Sequence, residues 1–295
     1  MPMPIINGTA AADTITFTTI STIVNAGEGA NTITATTGVN IITAGAGADT
    51  ITLTSGNNEI SAGDGANTIT ATSGNNSIST GAGADTITLT SGWNTIHAGD
   101  GANTIAATSG DNMIFGGAGI DTVTVTSGNN FIDVGDGDGD GDGDGANTVT
   151  ATWGNNRIYG GNGIDTVTIG DGNNYIEVGN GANTVTTGAG ADEIRTGVDI
   201  DTVTSGAGDD TILILGCTDT ITAGAGTDTL VVDYSAAAGA VTVSALAGTA
   251  SAGYAGSISG IGVATFAGVE NFSITSGSLD SNFKCNTHGP QGIGC

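Results

Sequence analysis

The stretch from residue 45 to 80, GAGADTITLTSGNNEISAGDGANTITATSGNNSIST, puts two side chains of one shape and different chemistry into a single slot. Asp49 closes GAGAD; 18 residues on, Asn67 closes GDGAN, and the acid has moved to Asp64. A carboxylate is a strong ligand for a hard divalent cation, whereas a neutral amide is a weaker ligand and a good hydrogen-bonding rung. The slot continues as Asp85, Asn103, Asp121, Asn147, Asp165 and Asn183, with displaced acids at Asp64, Asp100 and Asp136. A second series, nine residues out of phase, runs Asn58, Asn76, Asn94, Asn112 and Asn130, continues after the insertion as Asn156 and Asn174, and then turns acidic. Its last copies, TGAGAD, SGAGDD and AGAGTD, end at Asp192, Asp210 and Asp228, while Asp201 and Asp219 occupy the first series. An unbroken Asp column at a strand spacing of about 4.8 Å repels by roughly a few tenths to a few kcal/mol per pair unless cations intervene.

The elements that place these residues follow from the period. Each nine-residue unit is a Gly-rich turn ending in Asp or Asn, then an alternating run such as TIT or TVT. Alternation predicts a strand with one buried face, and the Gly cluster predicts a tight turn with backbone at positive φ. Two units make one 18-residue coil with a strand on each side, and parallel stacking of about 12 coils gives an all-β parallel β-solenoid, or β-roll. Inward Phe17, Leu53 and Leu89 alternate with Ala35 and Ala71, so the structural unit is 36 residues and large layers face small ones. The period slips once, by the 8 extra residues of the acidic DG insertion at 135–145.

The composition fits a thin, repetitive core: 53 Gly, 3 Pro and 4% aromatics among 295 residues. The 29 acidic residues against 3 Lys plus Arg give a net charge of −26, which repels nucleic acid and anionic membrane. The acids are therefore either neutralised by divalent cations or simply solvated. No apolar run is long enough to insert into a membrane, and the N-terminus, MPMPIINGTAAADTITFT, has no leader-type pattern. His97 and His288 stand without a motif, and no nucleophile arrangement or phosphate loop is present, so the chain is not expected to be an enzyme.

The unit resembles the calcium-binding nonapeptide of the RTX (repeats-in-toxin) family, GGxGxDxUx, over residues 7–233. That resemblance implies Ca2+ held in the turns between Gly carbonyls and Asp side chains of neighbouring coils, and secretion without a cleaved leader to an extracellular or cell-surface location. Carried onto this chain, the metal residues are first Asp192, Asp210 and Asp228 with Gly188, Gly190, Gly206, Gly208, Gly224 and Gly226. Asp201 and Asp219 follow, then Asp49, Asp85, Asp121, Asp165, Asp64 and Asp100. The Asn58 series departs from the pattern and is expected to form a metal-free amide ladder. The Asp49 series is open between a weak calcium row and a metal-independent turn stack.

Two outward faces differ. One carries a Thr grid, Thr50, Thr52, Thr54; Thr68, Thr70, Thr72; Thr86, Thr88, Thr90; and Thr122, Thr124, Thr126, interrupted at Ala106. It resembles the ice-binding faces of antifreeze β-solenoids, although Thr ladders also stabilise sheets by themselves. The other face gathers a partner patch of Met113, Phe115, Phe131, Tyr159 and Tyr175. The expected organisation is a solenoid over 1–234, a C-terminal β cap over 235–284 and a tail over 285–295, where Cys285 and Cys295 either form a disulfide or remain thiols. The expected function is a secreted, calcium-binding structural solenoid that self-assembles, end to end or laterally, into a filament, sheath or surface layer. Adsorption to ice is the alternative, and glycans are a further candidate partner.

Overall fold

The computed structural model describes residues 2–18, 21–135, 145–236, 241–249, 251–260 and 262–276. The chain is an all-β parallel β-solenoid of about 12 turns, with no helix among the described residues. It divides into two compact units, Met1–Gly161 and Asn162–Cys295.

In the first unit the strands Thr14–Phe17, Thr32–Ala35, Thr50–Leu53, Thr68–Ala71, Thr86–Leu89, Thr104–Ala107, Thr122–Val125 and Thr148–Trp153 stack into one parallel sheet. The alternate strands, from Ile5–Asn7 through Glu59–Gly63 to Arg157–Tyr159, form the opposing one. Register is set by side-chain type: Leu53 pairs with Ala35 and Ala71, and Leu89 with Ala71 and Ala107. These layers are dry; Ile51, Leu53, Ile69 and Leu89 are all buried, and so are Ile60, Ile78 and Ile96 opposite them. A one-residue slip would exchange this Ile/Leu/Ala face for the Thr face, which is why the register holds over so many copies.

In the second unit Tyr175–Glu177, Glu193–Arg195, Thr211–Ile214 and Thr229–Tyr234 stack on one side, and Thr166–Asp171, Thr184–Thr186, Thr202–Thr204 and Thr220–Thr222 on the other. Beyond the repeats, Asn271–Ser276 pairs in parallel with Thr229–Tyr234, and Val263–Val269 in parallel with Thr220–Thr222. Gly253–Ser259 and Thr242–Thr249 then extend that second sheet antiparallel.

The Thr face has a texture that its spelling does not convey. Thr52, Thr88 and Thr124 are exposed, whereas Thr34, Thr70 and Thr150 in the intervening coils are half-buried. The half-buried ones lie next to the small core residues Ala35, Ala71 and Ala151. On the opposite face His97 stacks on Phe115 at 4.6 Å, and tilted contacts follow from Phe115 to Phe131 and from Phe131 to Tyr159, each at 5.6 Å. Three rings of the expected partner patch, Phe115, Phe131 and Tyr159, thus cover one another, while Met113, Trp93 in its turn and Trp153 at the end of its strand remain exposed.

Candidate metal centres

Each turn is held open for its occupant by glycine. Gly45 and Gly47 have φ of +94° and +139°, and a Cβ on Gly63, one coil on, would overlap the Gly45 carbonyl oxygen. Close backbone stacking of this kind admits no side chain and leaves rows of carbonyls at the turns. The six turn glycines from Gly188 to Gly226 stack likewise, a Cβ on Gly206 or Gly224 meeting the carbonyl of the glycine one coil before. Gly188 O and Gly206 O each accept one N–H, from Ala207 and Ala225 at 2.9 Å, so a second lone pair is left on each.

Below every turn the slot residue points inward. Its Oδ1 accepts the backbone N–H of the slot residue one coil earlier, whichever amino acid it is: Asn31 to Asp49 at 2.7 Å, Asp49 to Asn67 at 3.0 Å, Asn67 to Asp85 at 2.7 Å. The row continues through Asp85 to Asn103 at 3.0 Å and Asn103 to Asp121 at 2.9 Å, and Asp165 donates to Asn183 at 2.8 Å. In the second unit Asp192 donates to Asp210, Asp210 to Asp228, and Asp201 to Asp219, each at 2.9 Å. Asp and Asn are interchangeable in this bond because both present a carbonyl-type oxygen at the same reach.

They part at the second side-chain atom. Asn31 Nδ2 donates to Gly27 O, Gly29 O and, in the next turn, Ala44 O at 3.2, 2.9 and 3.1 Å. Asn67 Nδ2 donates to Gly63 O and Gly65 O at 2.9 and 3.0 Å, and Asn183 Nδ2 to Gly179 O and Gly181 O at 3.2 and 2.9 Å. The amide hydrogens therefore fill the space between turn carbonyls. In the Asp coils an oxygen stands there instead: Oδ2 of Asp49, Asp85, Asp121, Asp192, Asp201, Asp210, Asp219 and Asp228 is buried and receives no hydrogen bond. A carboxylate has nothing to donate, and a buried unsatisfied charged acceptor costs more than the ~1–3 kcal/mol of a neutral one.

Electrostatics follow the same division. Burial pushes the carboxyls of Asp49, Asp85, Asp192 and Asp228 above the ordinary range. Asp121, Asp201 and Asp210 are raised to about 6, again chiefly by burial, and Asp219 to about 7, with Asp201 adding repulsion. Three hydroxyls beside these acids are committed elsewhere, Thr187 Oγ1 donating to Ser205 O at 2.7 Å, Ser205 Oγ to Ala223 O at 2.8 Å, and Thr80 Oγ1 to Ala98 O, whereas Thr196 Oγ1 beside Asp201 is buried without a partner of its own. A bound cation would supply what the protein's own donors do not, and carboxylate and carbonyl oxygens are the donor types a hard cation takes. Among the described residues no three His, Cys, Asp or Glu side chains converge, so such a site is rich in backbone oxygen and unlike a zinc centre.

The opposite turns of the first unit form the expected amide ladder. Asn40 Nδ2 donates to Asn58 Oδ1 at 2.8 Å, and the chain of bonds passes through Asn76, Asn94, Asn112 and Asn130 to Asn156 at 2.8–3.0 Å. The displaced acids are not part of the buried row: Asp64 and Asp100 are exposed, and Asp64 Oδ1 accepts the Ala82 N–H at 2.9 Å on the outside of the turn. Asp136, most of the DG insertion, Cys285 and Cys295 lie outside the described residues.

One acid escaped the periodic reading. Glu270 Oε2 accepts the Asp228 N–H at 2.8 Å, which places it next in the row Asp192, Asp210, Asp228. The only sequence signal is a single Gly two residues before it in FAGVEN, too little to mark a repeat.

Comparison with curated proteins finds no match. The family model for the RTX calcium-binding nonapeptide repeat (4 copies) matches residues 25–60, 61–92, 88–123, 117–138, 142–167, 168–203, 188–213 and 196–230, more than half of the chain. The chain is a member of the RTX calcium-binding nonapeptide-repeat family, whose β-roll is a structural, calcium-binding fold.

Proposed function

We propose that this chain is a secreted structural solenoid, loaded with calcium outside the cell, that self-assembles into an extracellular filament, sheath or surface layer. The observation that carries the calcium assignment to residues is the set of orphaned Oδ2 atoms on Asp192, Asp210, Asp228, Asp201 and Asp219, consecutive acids with no amide among them. Asp49, Asp85 and Asp121 each face an Asn amide in the adjoining coils and form a secondary row. Carbonyl-rich sites of this kind suit the millimolar calcium outside cells.

Assembly is supported by the first coil. Among the described residues Ile5–Asn7 and Thr14–Phe17 are edge strands, and Ile5 is 60% exposed. An edge strand is a template for another strand, which in this reading a second copy supplies. Electron microscopy with calcium and after chelation tests this: ordered assemblies that dissolve on chelation are expected, and discrete monomers under both conditions refute it.

The Thr register favours a second reading, ice binding. Thr50 pairs with Thr68 and Thr52 with Thr70, and Thr68 and Thr70 pair in turn with Thr86 and Thr88. Half-buried Thr34, Thr70 and Thr150 alternate there with exposed Thr52, Thr88 and Thr124. A thermal-hysteresis measurement decides: ice-growth inhibition supports adsorption, and none at high protein concentration removes it.

A further inference from the structure

The row of carboxylates in the second unit does not stop with the last repeat. Thr222 pairs with Ala267, and Thr229 with Asn271. Between those positions the coil uses the turn AGAGTD, whereas the following segment uses GVE, three residues for six. Gly268, at φ +75°, takes up the turn and packs against Gly224, where a Cβ would lie 2.8 Å from the Gly224 nitrogen. Asp228 and Glu270 align as slot residues: Glu270 Oε2 takes the Asp228 N–H at 2.8 Å, and the Glu270 N–H returns to Asp228 O at 3.1 Å. Asp228 Oδ1 does the same for the Asp210 N–H at 2.9 Å. A shortened turn carries a lengthened acid, the extra methylene giving the reach that three missing residues remove.

From this we infer that Glu270 is the terminal carboxylate of the cation row, holding a calcium ion jointly with Asp228 and so fastening Val263–Ser276 onto the last repeat coil. The second observation is Asp228 itself, wholly buried, with an Oδ2 that no donor reaches although Glu270 lies beside it. Two carboxylates side by side repel, and a cation between them offsets the repulsion. Docking of the non-repeat segment is then a calcium-dependent event. The inference rests on calcium binding by the repeats.

The test uses the full chain and Glu270→Gln, which keeps an oxygen for the Asp228 N–H and removes only the charge. Calcium stoichiometry is measured by equilibrium dialysis, and backbone protection by hydrogen exchange with calcium and with chelator. We expect the variant to bind one ion fewer, and calcium to stop protecting 263–276 while it still protects 193–214. An unchanged stoichiometry with unchanged protection overturns the role of Glu270 alone. A wild-type chain that binds no calcium overturns the repeat assignment as well. If the variant fails to fold, the wild-type exchange decides: protection of 263–276 that is indifferent to calcium refutes the inference.

Discussion

Replacing Asn67 by Asp exchanges a built-in donor for an orphaned acceptor in the middle of a dry column. The Oδ1 bond to the Asp49 N–H, 3.0 Å, survives the change. The two bonds from Nδ2 to Gly63 O and Gly65 O, 2.9 and 3.0 Å, do not, and a carboxylate oxygen is pressed toward those carbonyls. Two lost hydrogen bonds cost about 1 kcal/mol each, and a buried unpaired charge raises the total to about 3–5 kcal/mol without cation. Asp49 and Asp85, one coil to either side, already have orphaned oxygens, so the variant builds three consecutive acids like Asp192, Asp210 and Asp228. Calcium at about 100 times its dissociation constant then returns about 2.7 kcal/mol for each ion bound. The assay is hydrogen exchange over residues 45–71 in chelator and in calcium, which reads local stability in a repeat protein that does not unfold in one step. Faster exchange in chelator, restored by calcium, together with extra bound ion, is the expected pattern. A variant as protected as wild type in chelator at neutral pH would refute the view that the amide fills the cation position.

The reciprocal change, Asp210→Asn, supplies donors toward the Gly206 and Gly208 carbonyls; it is expected to stabilise the calcium-free chain by about 1–3 kcal/mol and to lower calcium stoichiometry, both read by titration calorimetry and exchange. Acid should act on the calcium-free chain as the amide does, because a protonated Oδ2 is a donor. Folded-state values raised to about 6 for Asp201 and Asp210 and about 7 for Asp219, from 3.8, give stability that is complete below 3.8 and lost as pH rises through 6 to 7. Melting in chelator should therefore occur at higher temperature at pH 5 than at pH 8, with calcium abolishing the difference by stabilising the ionised form. Gly63→Ala, at φ +80° and with its new methyl against Gly45 O, should cost more than about 3 kcal/mol by exchange over the same turn, with or without calcium.

Much of this was written in the period. Recurrence at 18 residues fixes which strands pair, and the Leu53, Ala71, Leu89 alternation fixes which layers touch, because each paired neighbour is a copy of the same unit. The direction of the slot side chain was also legible, since Asp and Asn can share a buried position only through an atom they have in common. What the amide does with its other end was not. Spacing shows Asn67 as a weaker ligand, whereas the geometry shows a donor that fills the space between the turn carbonyls. Asp64 looks like a displaced ligand in the spelling GDGAN, but in its turn it is exposed and accepts the Ala82 N–H. Glu270 was invisible because two irregularities, a short turn and a long side chain, compensate only in three dimensions. The partial burial of Thr70 was not legible either, because Thr52 and Thr88 have the same spelling and are exposed.

The pairing of Leu layers with Ala layers also sets a smallest step by which the chain can change length. Excising residues 50–85 joins Asp49 to Thr86 and sets Leu89 on Ala35, the same neighbours that Leu53 has now. Excising only 50–67 sets Ala71 on Ala35, a hollow layer, and Asn67 vanishes from between two acids, leaving Asp49 directly beneath Asp85. Gain or loss of this molecule by recombination is thus neutral in doublets of coils and penalised in singlets, and a designer who wants a longer or shorter version should cut in multiples of 36.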